Sequence, residues 1–241
     1  MDSSRVSIRH LAVVGVGLIG GSLARALRTA GCVEKITGIG RSAANLMEAL
    51  ELGIIDHWSH DMSAVAEADM VVVAAPMGAY AQLFSAIALY AHSDAIVTDV
   101  GSTKQHALAV AQRHLPPSIR FVAAHPIAGT EHSGASASRA DLFNNRLLIV
   151  TPDSDTEQQA RMQVEAMWRA VGASVLVMDA VRHDTLMAAV SHLPHVAAFA
   201  IVNALPIPTD TGDDPLQFAA GGFRDFTRIA SSSPTIDRKS T

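Results

Sequence analysis

The chain has 241 residues, 49% of them hydrophobic and 17% charged, enough apolar content to bury a large core in one large or two modest domains. A net charge of -5 and an isoelectric point near 6.1 argue against a nucleic-acid partner. No apolar run reaches the roughly 18 residues that span a bilayer, and the single cysteine, Cys32, excludes an intrachain disulfide and fits a reducing, cytoplasmic setting.

The first predicted element is a strand over Ser7 to Val14. Its apolar run feeds Gly15-Val16-Gly17-Leu18-Ile19-Gly20, a GxGxxG pattern that opens a helix over Gly20 to Thr29. Gly15 permits a tight strand-to-helix turn, Gly17 lets the backbone approach a pyrophosphate, and Gly20 lets the helix pack closely on the strand. The pyrophosphate would sit at the helix N-terminus, beside Leu18 and Ile19, on free N–H groups and the positive end of the helix dipole. A secretory leader is the competing reading, because Arg5 and Arg9 precede a short apolar stretch, but glycines are an odd choice for such a stretch.

Further strands are predicted over Lys35 to Ile39, Met70 to Ala75, Ala95 to Thr98, Arg120 to Ala123, Leu147 to Thr151 and Ser174 to Val177. They alternate with helical segments such as Ala43 to Leu52, Tyr80 to Tyr90 and Thr156 to Val171, the pattern of a parallel sheet flanked by helices. After Asp179 the pattern is helix without strand, with one long apolar helix over Arg182 to Leu205 interrupted by Pro194. The fold class read from this is α/β: an N-terminal Rossmann-type, mostly parallel sheet, then a shortened all-helical C-terminal domain. The boundary falls near Asp179, giving a dinucleotide-binding domain over 1–179 and a helical domain over 180–241.

The end of the second strand bears on which dinucleotide is preferred. Where an NAD-binding unit carries an acidic residue for the ribose hydroxyls, this chain has Gly40, followed by Arg41 and Ser42. A guanidinium can pair with a 2'-phosphate and a hydroxyl can add a hydrogen bond, so NADP is expected, with NAD as the alternative. The plainer reading is that Arg41 stacks on the adenine or is solvated while Ser42 caps the next helix. Ala75 and Pro76, at the end of the third strand, complete the cofactor-facing set.

Four later segments carry the chemistry: Val97 to Lys104, His125 to Glu131, Ser191 to His195, and Gly221 to Arg228. His125 follows a strand, at the sheet edge where open α/β sheets bind ligands, and a histidine can take a proton from a hydroxyl as hydride leaves the same carbon. Ser102 follows another strand end, where it could instead cap the helix beginning near Thr103. His192 and His195 are three apart and share a helix face beside Pro194; a metal half-site competes, but no other cluster has matching spacing, so no metal is expected. Arg224 and Arg228, four apart after a Gly-Gly pair, could grip a carboxylate, although Arg224 could equally pair with Asp225 or Asp141.

Together and in this order, these segments resemble the prephenate/arogenate dehydrogenase family of tyrosine biosynthesis, over nearly the whole chain from Leu11 to about Pro234. The resemblance implies that His125 is the catalytic base and that Ser102 hydrogen-bonds both that histidine and the substrate hydroxyl. It implies that His195 contacts the substrate, with His192 either beside it or a core histidine, and that Arg228 is the principal carboxylate binder. Thr130 and Glu131, on the loop after His125, would shape the pocket, in part across a homodimer interface. The resemblance also assigns substrate binding and dimerisation to the helical domain over 180–241. The implied reaction is oxidative decarboxylation of a small cyclohexadienyl acid, giving 4-hydroxyphenylpyruvate from prephenate or tyrosine from arogenate.

Family members continue beyond the arginine-containing helix into a further helical dimerisation region, whereas Ser233-Pro234-Thr235 here runs to Thr241, so a shortened site and a weakened dimer are expected. A dinucleotide-binding sensor without turnover is the alternative of another class. A β-hydroxyacid dehydrogenase is disfavoured, because that group relies on a lysine in its long helix and Arg182 to Leu205 contains none.

Overall fold

The computed structural model describes residues 6–130, 132–204 and 218–227. Six strands, β1 (Ile8–Val14), β2 (Val33–Ile39), β3 (His57–Ser59), β4 (Met70–Val73), β5 (Ile96–Asp99) and β6 (Arg120–Val122), form one parallel sheet in the order β3-β2-β1-β4-β5-β6. The order reverses between β1 and β4, which opens a crevice at their C-terminal ends, the place where doubly wound sheets take ligands.

Both faces of the sheet are covered. Side chains alternate along a strand, so Leu11 and Val13 of β1 join one core cluster while Ala12 and Val14 join the other. The first cluster packs against α1 (Leu18–Thr29), α2 (Ala43–Glu51) and α5 (Gln158–Ala170), through residues such as Leu23, Leu46 and Trp168. The second packs against α3 (Tyr80–Tyr90) and α4 (Lys104–His114), through Phe84, Ile87 and Ala107. Burial on both faces is why Leu11 to Val14 of β1 and Met70 to Val73 of β4 read as unbroken apolar runs in the sequence.

Two of the expected strands belong elsewhere. Leu147 to Val150 and Ser174 to Val177 form β8 and β9 of a second sheet, ordered β7-β8-β9, in which β7 (Ala124–Pro126) runs antiparallel to β8. Ala123 carries the chain from β6 into β7, and its carbonyl accepts the Thr151 N–H at 3.0 Å. His125 therefore lies within a strand rather than just after one.

The C-terminal part is helical: α6 (Ala180–Met187), a π-helical turn over Ala188–His192, α7 (Leu193–Ala204) and α8 (Gly221–Thr227). The helix runs continuously from Ala180 to Ala204, and the expected break at Pro194 takes the form of that π turn. Proline has no N–H to donate and its ring crowds the carbonyl one turn back; the wider π spacing just before it relieves both. Although polar residues interrupt it, this 25-residue helix contains an 18-residue window with a mean hydropathy of 1.6, so by length and composition it could cross a membrane. Its apolar side chains Val190, Leu193, Val196 and Ile201 are exposed.

Candidate active site

The glycine turn at the end of β1 is built by two close approaches and one open space. Gly15 has φ +101°, its N–H donates to Ile39 at 2.8 Å, and a Cβ there would stand 2.4 Å from the Ala74 carbonyl oxygen. At Gly20 a Cβ would meet the Gly15 carbonyl oxygen at 2.2 Å, so helix α1 can only lie this close with glycine. Gly17 is different: nothing lies within 4 Å of the place a Cβ would take, and as the N-cap of α1 it offers no side chain to the first-turn amides. Free amides facing open space fit an anion such as a pyrophosphate.

That space is a cavity of about 340 Å³ lined by Gly17, Leu18, Ile19, Ala75, Ser102 and Thr130 among others. Pro76 follows directly and is half-buried. A larger open groove of about 670 Å³, lined by Val6, Met70 and Gln163, lies at the N-terminal ends of the strands, away from the glycine turn.

At the end of β2, a Cβ added at Gly40 would meet only Leu46, at 3.5 Å in ordinary contact, and no carboxylate occupies that position. Arg41 is exposed. The Ser42 hydroxyl accepts the Asn45 N–H at 3.3 Å, so it does cap α2. Asn45 in turn donates to the Val16 carbonyl at 2.7 Å and accepts from Ala135 N at 2.9 Å, fastening the loop after β7 over the fingerprint.

Beneath His125 lies a buried polar network. Asp99, at the end of β5, accepts from Lys104 Nζ at 2.6 Å, Tyr80 Oη at 3.0 Å, Gly101 N at 2.9 Å and Ala124 N at 3.0 Å. Lys104 also donates to the Ala124 carbonyl at 2.7 Å. Burial lowers the Lys104 pKa against the pull of Asp99, and burial followed by Asp99 raises that of Tyr80 well above its ordinary value.

The His125 ring is linked to a residue that the sequence motifs do not single out: its Nδ1 lies 2.9 Å from Nε2 of His183, which is fully buried on α6. His183 Nδ1 lies 2.7 Å from Asp184 Oδ1. Asp184, not Ser102, caps α4, accepting from Lys104 N at 2.8 Å and Gln105 N at 3.0 Å. Burial pushes His125 well below the usual histidine range, and its electrostatic coupling to Lys104, then to His183 and His192, adds to this. A His-Asp pair next to an N-cap, Asp179, is visible in the sequence, but nothing local ties it to a histidine 58 positions away.

The other candidates sit around this centre. His192 ends the π turn, and burial lowers its pKa. His195 Nδ1 lies 2.7 Å from the Ser191 carbonyl; a carbonyl only accepts, so Nδ1 carries the hydrogen. Ser102 is half-buried and Thr130 exposed. Arg224 is exposed on α8, while Asp141, one of its suggested partners, pairs with Arg139 at 2.9 Å. Glu131 and Arg228 lie outside the described residues. Among the described residues no group of three His, Cys, Asp or Glu side chains could hold a metal ion.

A 3-2-1-4-5-6 parallel sheet with a glycine turn at its switch point and a helical C-terminal part defines a Rossmann-type dinucleotide-binding protein. Residues 23–177 match the family model described as the prephenate dehydrogenase nucleotide-binding domain, and residues 179–239 match the prephenate dehydrogenase dimerization domain. The chain belongs to the prephenate dehydrogenase family. It is 38% identical to prephenate dehydrogenase of Bacillus subtilis over 94% of this chain and 62% of that protein, so it spans less than two thirds of that relative. It is 36% identical to cyclohexadienyl dehydrogenase of Zymomonas mobilis, over 95% of this chain and 78% of that protein. Among solved structures, Aquifex aeolicus prephenate dehydrogenase in complex with hydroxyphenyl propionate and NAD+ superposes with a TM-score of 0.88 at 34% identity, covering 98% of this chain and 82% of that one.

Proposed function

We propose that this protein is a nicotinamide-dinucleotide-dependent dehydrogenase that oxidatively decarboxylates prephenate or arogenate, with NADP preferred over NAD. The observation that carries the reading is the placement of His125, hydrogen-bonded to buried His183 and set between the loop that lines the dinucleotide cavity and the helical part that follows. The names and bound molecules of the Bacillus, Zymomonas and Aquifex proteins support the substrate class and the cofactor type. Residues 1–179 would hold the dinucleotide, with Gly15, Gly17, Leu18, Ile19, Gly20, Ala75 and Pro76 around it, and 180–241 would complete the substrate site.

When bound, the nicotinamide supplies the hydride acceptor. His125 takes the proton of the ring 4-hydroxyl, which lets the same carbon release hydride. Ser102 orients that hydroxyl, and His195 and His192 contact the acid. Arg228, with Arg224 as a second candidate, would hold a carboxylate by a charge-assisted fork, and Thr130 and Glu131 would shape the pocket wall. Loss of the ring carboxylate as carbon dioxide makes the ring aromatic, and the proton returns to its oxygen.

NADP preference is supported by the missing carboxylate at Gly40 and the exposed Arg41 beside Ser42. A homodimer is supported by the dimerization-domain match and by the exposed apolar residues of α6 and α7. The test is spectrophotometric: reduction of NADP and of NAD, each with prephenate and with arogenate. Turnover with either acid, faster with NADP, is expected; dinucleotide binding with no turnover on either acid would overturn the reading in favour of a binding protein.

A further inference from the structure

We infer that His183, oriented by Asp184, is a positioning residue for His125: it fixes His125 as the Nδ1–H tautomer and shares the charge when Nε2 is protonated. The inference deepens the proposed dehydrogenase reading and rests on it only for the use to which His125 is put.

The order of hydrogens starts at Asp184. Its carboxylate accepts from Lys104 N, Gln105 N, Gln105 Nε2 at 3.2 Å and His183 Nδ1. Burial works against the charge, but these donors outweigh it and hold Asp184 below the usual carboxylate range. An ionised carboxylate can only accept, so His183 Nδ1 carries the hydrogen. His183, kept neutral chiefly by burial, then presents a lone pair at Nε2. The nitrogen facing it at 2.9 Å, His125 Nδ1, must be the donor.

That leaves His125 Nε2 as the basic nitrogen, and no rotation within the chain of three can reverse the sequence while Asp184 is charged. Helix α4 supplies two of the Asp184 donors through its backbone, so the element carrying Lys104 also sets the tautomer of the base. When Nε2 takes a proton, the Nδ1–H remains donated to His183, and the positive charge extends toward Asp184 through two hydrogen bonds. The second imidazole does here what a carboxylate partner does for a catalytic histidine elsewhere. Because Asp184 also caps α4, His183 is the cleaner residue to vary.

The test combines 15N NMR of ring-labelled histidines in the dinucleotide-free protein with steady-state kinetics of wild type, H183A and H183Q. Wild type is expected to show His125 as the Nδ1–H tautomer, and H183A to show it redistributed toward Nε2–H. In H183A kcat should fall about 100-fold, with KM and dinucleotide Kd within about twofold. H183Q, whose amide can accept from His125 and donate to Asp184, should keep the tautomer and recover at least about a tenth of wild-type kcat. His125 as Nε2–H in the wild type overturns the inference whether or not the variants fold, as does an unchanged tautomer in folded H183A. A wild type that turns over neither acid would instead sink the dehydrogenase reading, while the tautomer measurement still decides the role of His183.

Discussion

Lys104 Nζ lies 2.6 Å from Asp99 Oδ2, with both side chains completely buried. With Tyr80, Gly101 and Ala124 also donating to it, this one carboxylate joins the end of β5 to α3, α4 and β7. Removing the cation would leave a buried charge without its counter-ion. K104M is expected to lower unfolding free energy by about 3–5 kcal/mol in urea melts, and adding D99N should restore part of the loss. A K104M protein as stable as wild type would show that the neutral donors alone satisfy Asp99.

Gly15 and Gly17 stand two residues apart in one motif, yet they should fail in different ways. G15A forces a side chain to φ +101° and to 2.4 Å from the Ala74 carbonyl, a strain of about 1–3 kcal/mol or more that thermal melts should register. G17A places its methyl in open space, where the first-turn amides face the proposed pyrophosphate. It should stay within about 1 kcal/mol of wild-type stability while dinucleotide Kd rises at least about tenfold. Calorimetric titration of G17A giving wild-type affinity would move the pyrophosphate away from this turn.

The doubly wound half is legible in the sequence because strands buried on both faces, such as Leu11 to Val14 and Met70 to Val73, cannot avoid reading as apolar runs. The three-residue strands β3 and β7 are not, since His57-Trp58-Ser59 and Ala124-His125-Pro126 carry neither the length nor the alternation that marks a strand. His125 stands out by its motif, and Ser42 caps as its type suggests. The cap of α4 is hidden, because the sequence offers Ser102 beside the helix start and gives no sign that Asp184, 80 positions away, docks there. For the same reason His183 carries no signal of its own: its role exists only once α6 has packed on α4.

Arg41 is the residue on which dinucleotide choice should turn. It is exposed at the end of β2, with Gly40 in place of the carboxylate that would repel a 2'-phosphate. A hydrogen bond to a charged group contributes about 1.5–3 kcal/mol, so R41A should weaken NADP binding roughly 10–100-fold and leave NAD within about twofold. Equal losses for both dinucleotides in fluorescence titrations would mean that Arg41 stacks on the adenine instead. G40D should shift preference the other way, as the added carboxylate accepts from ribose hydroxyls and repels phosphate.

His125 ties the proposed chemistry to pH. Its pKa lies well below 6.5 because burial, then Lys104, His183 and His192, disfavour the imidazolium more than Asp184 favours it. The ring is thus already a free base at pH 6.5, and kcat/KM should stay flat from neutrality down past that value, falling only as pH drops through the lowered pKa. Folding stability shares the direction: the unfolded ring binds a proton below 6.5 and the folded one does not, so stability is lost as pH falls from there toward the folded pKa. His183 and His192, both lowered mainly by burial, add to the same trend. H125N should cut kcat about 10²–10⁴-fold, abolish that acid limb in kcat/KM and leave dinucleotide Kd nearly unchanged. Retention of most activity, or an acid limb of unaltered position in H125N, would assign the base to another residue.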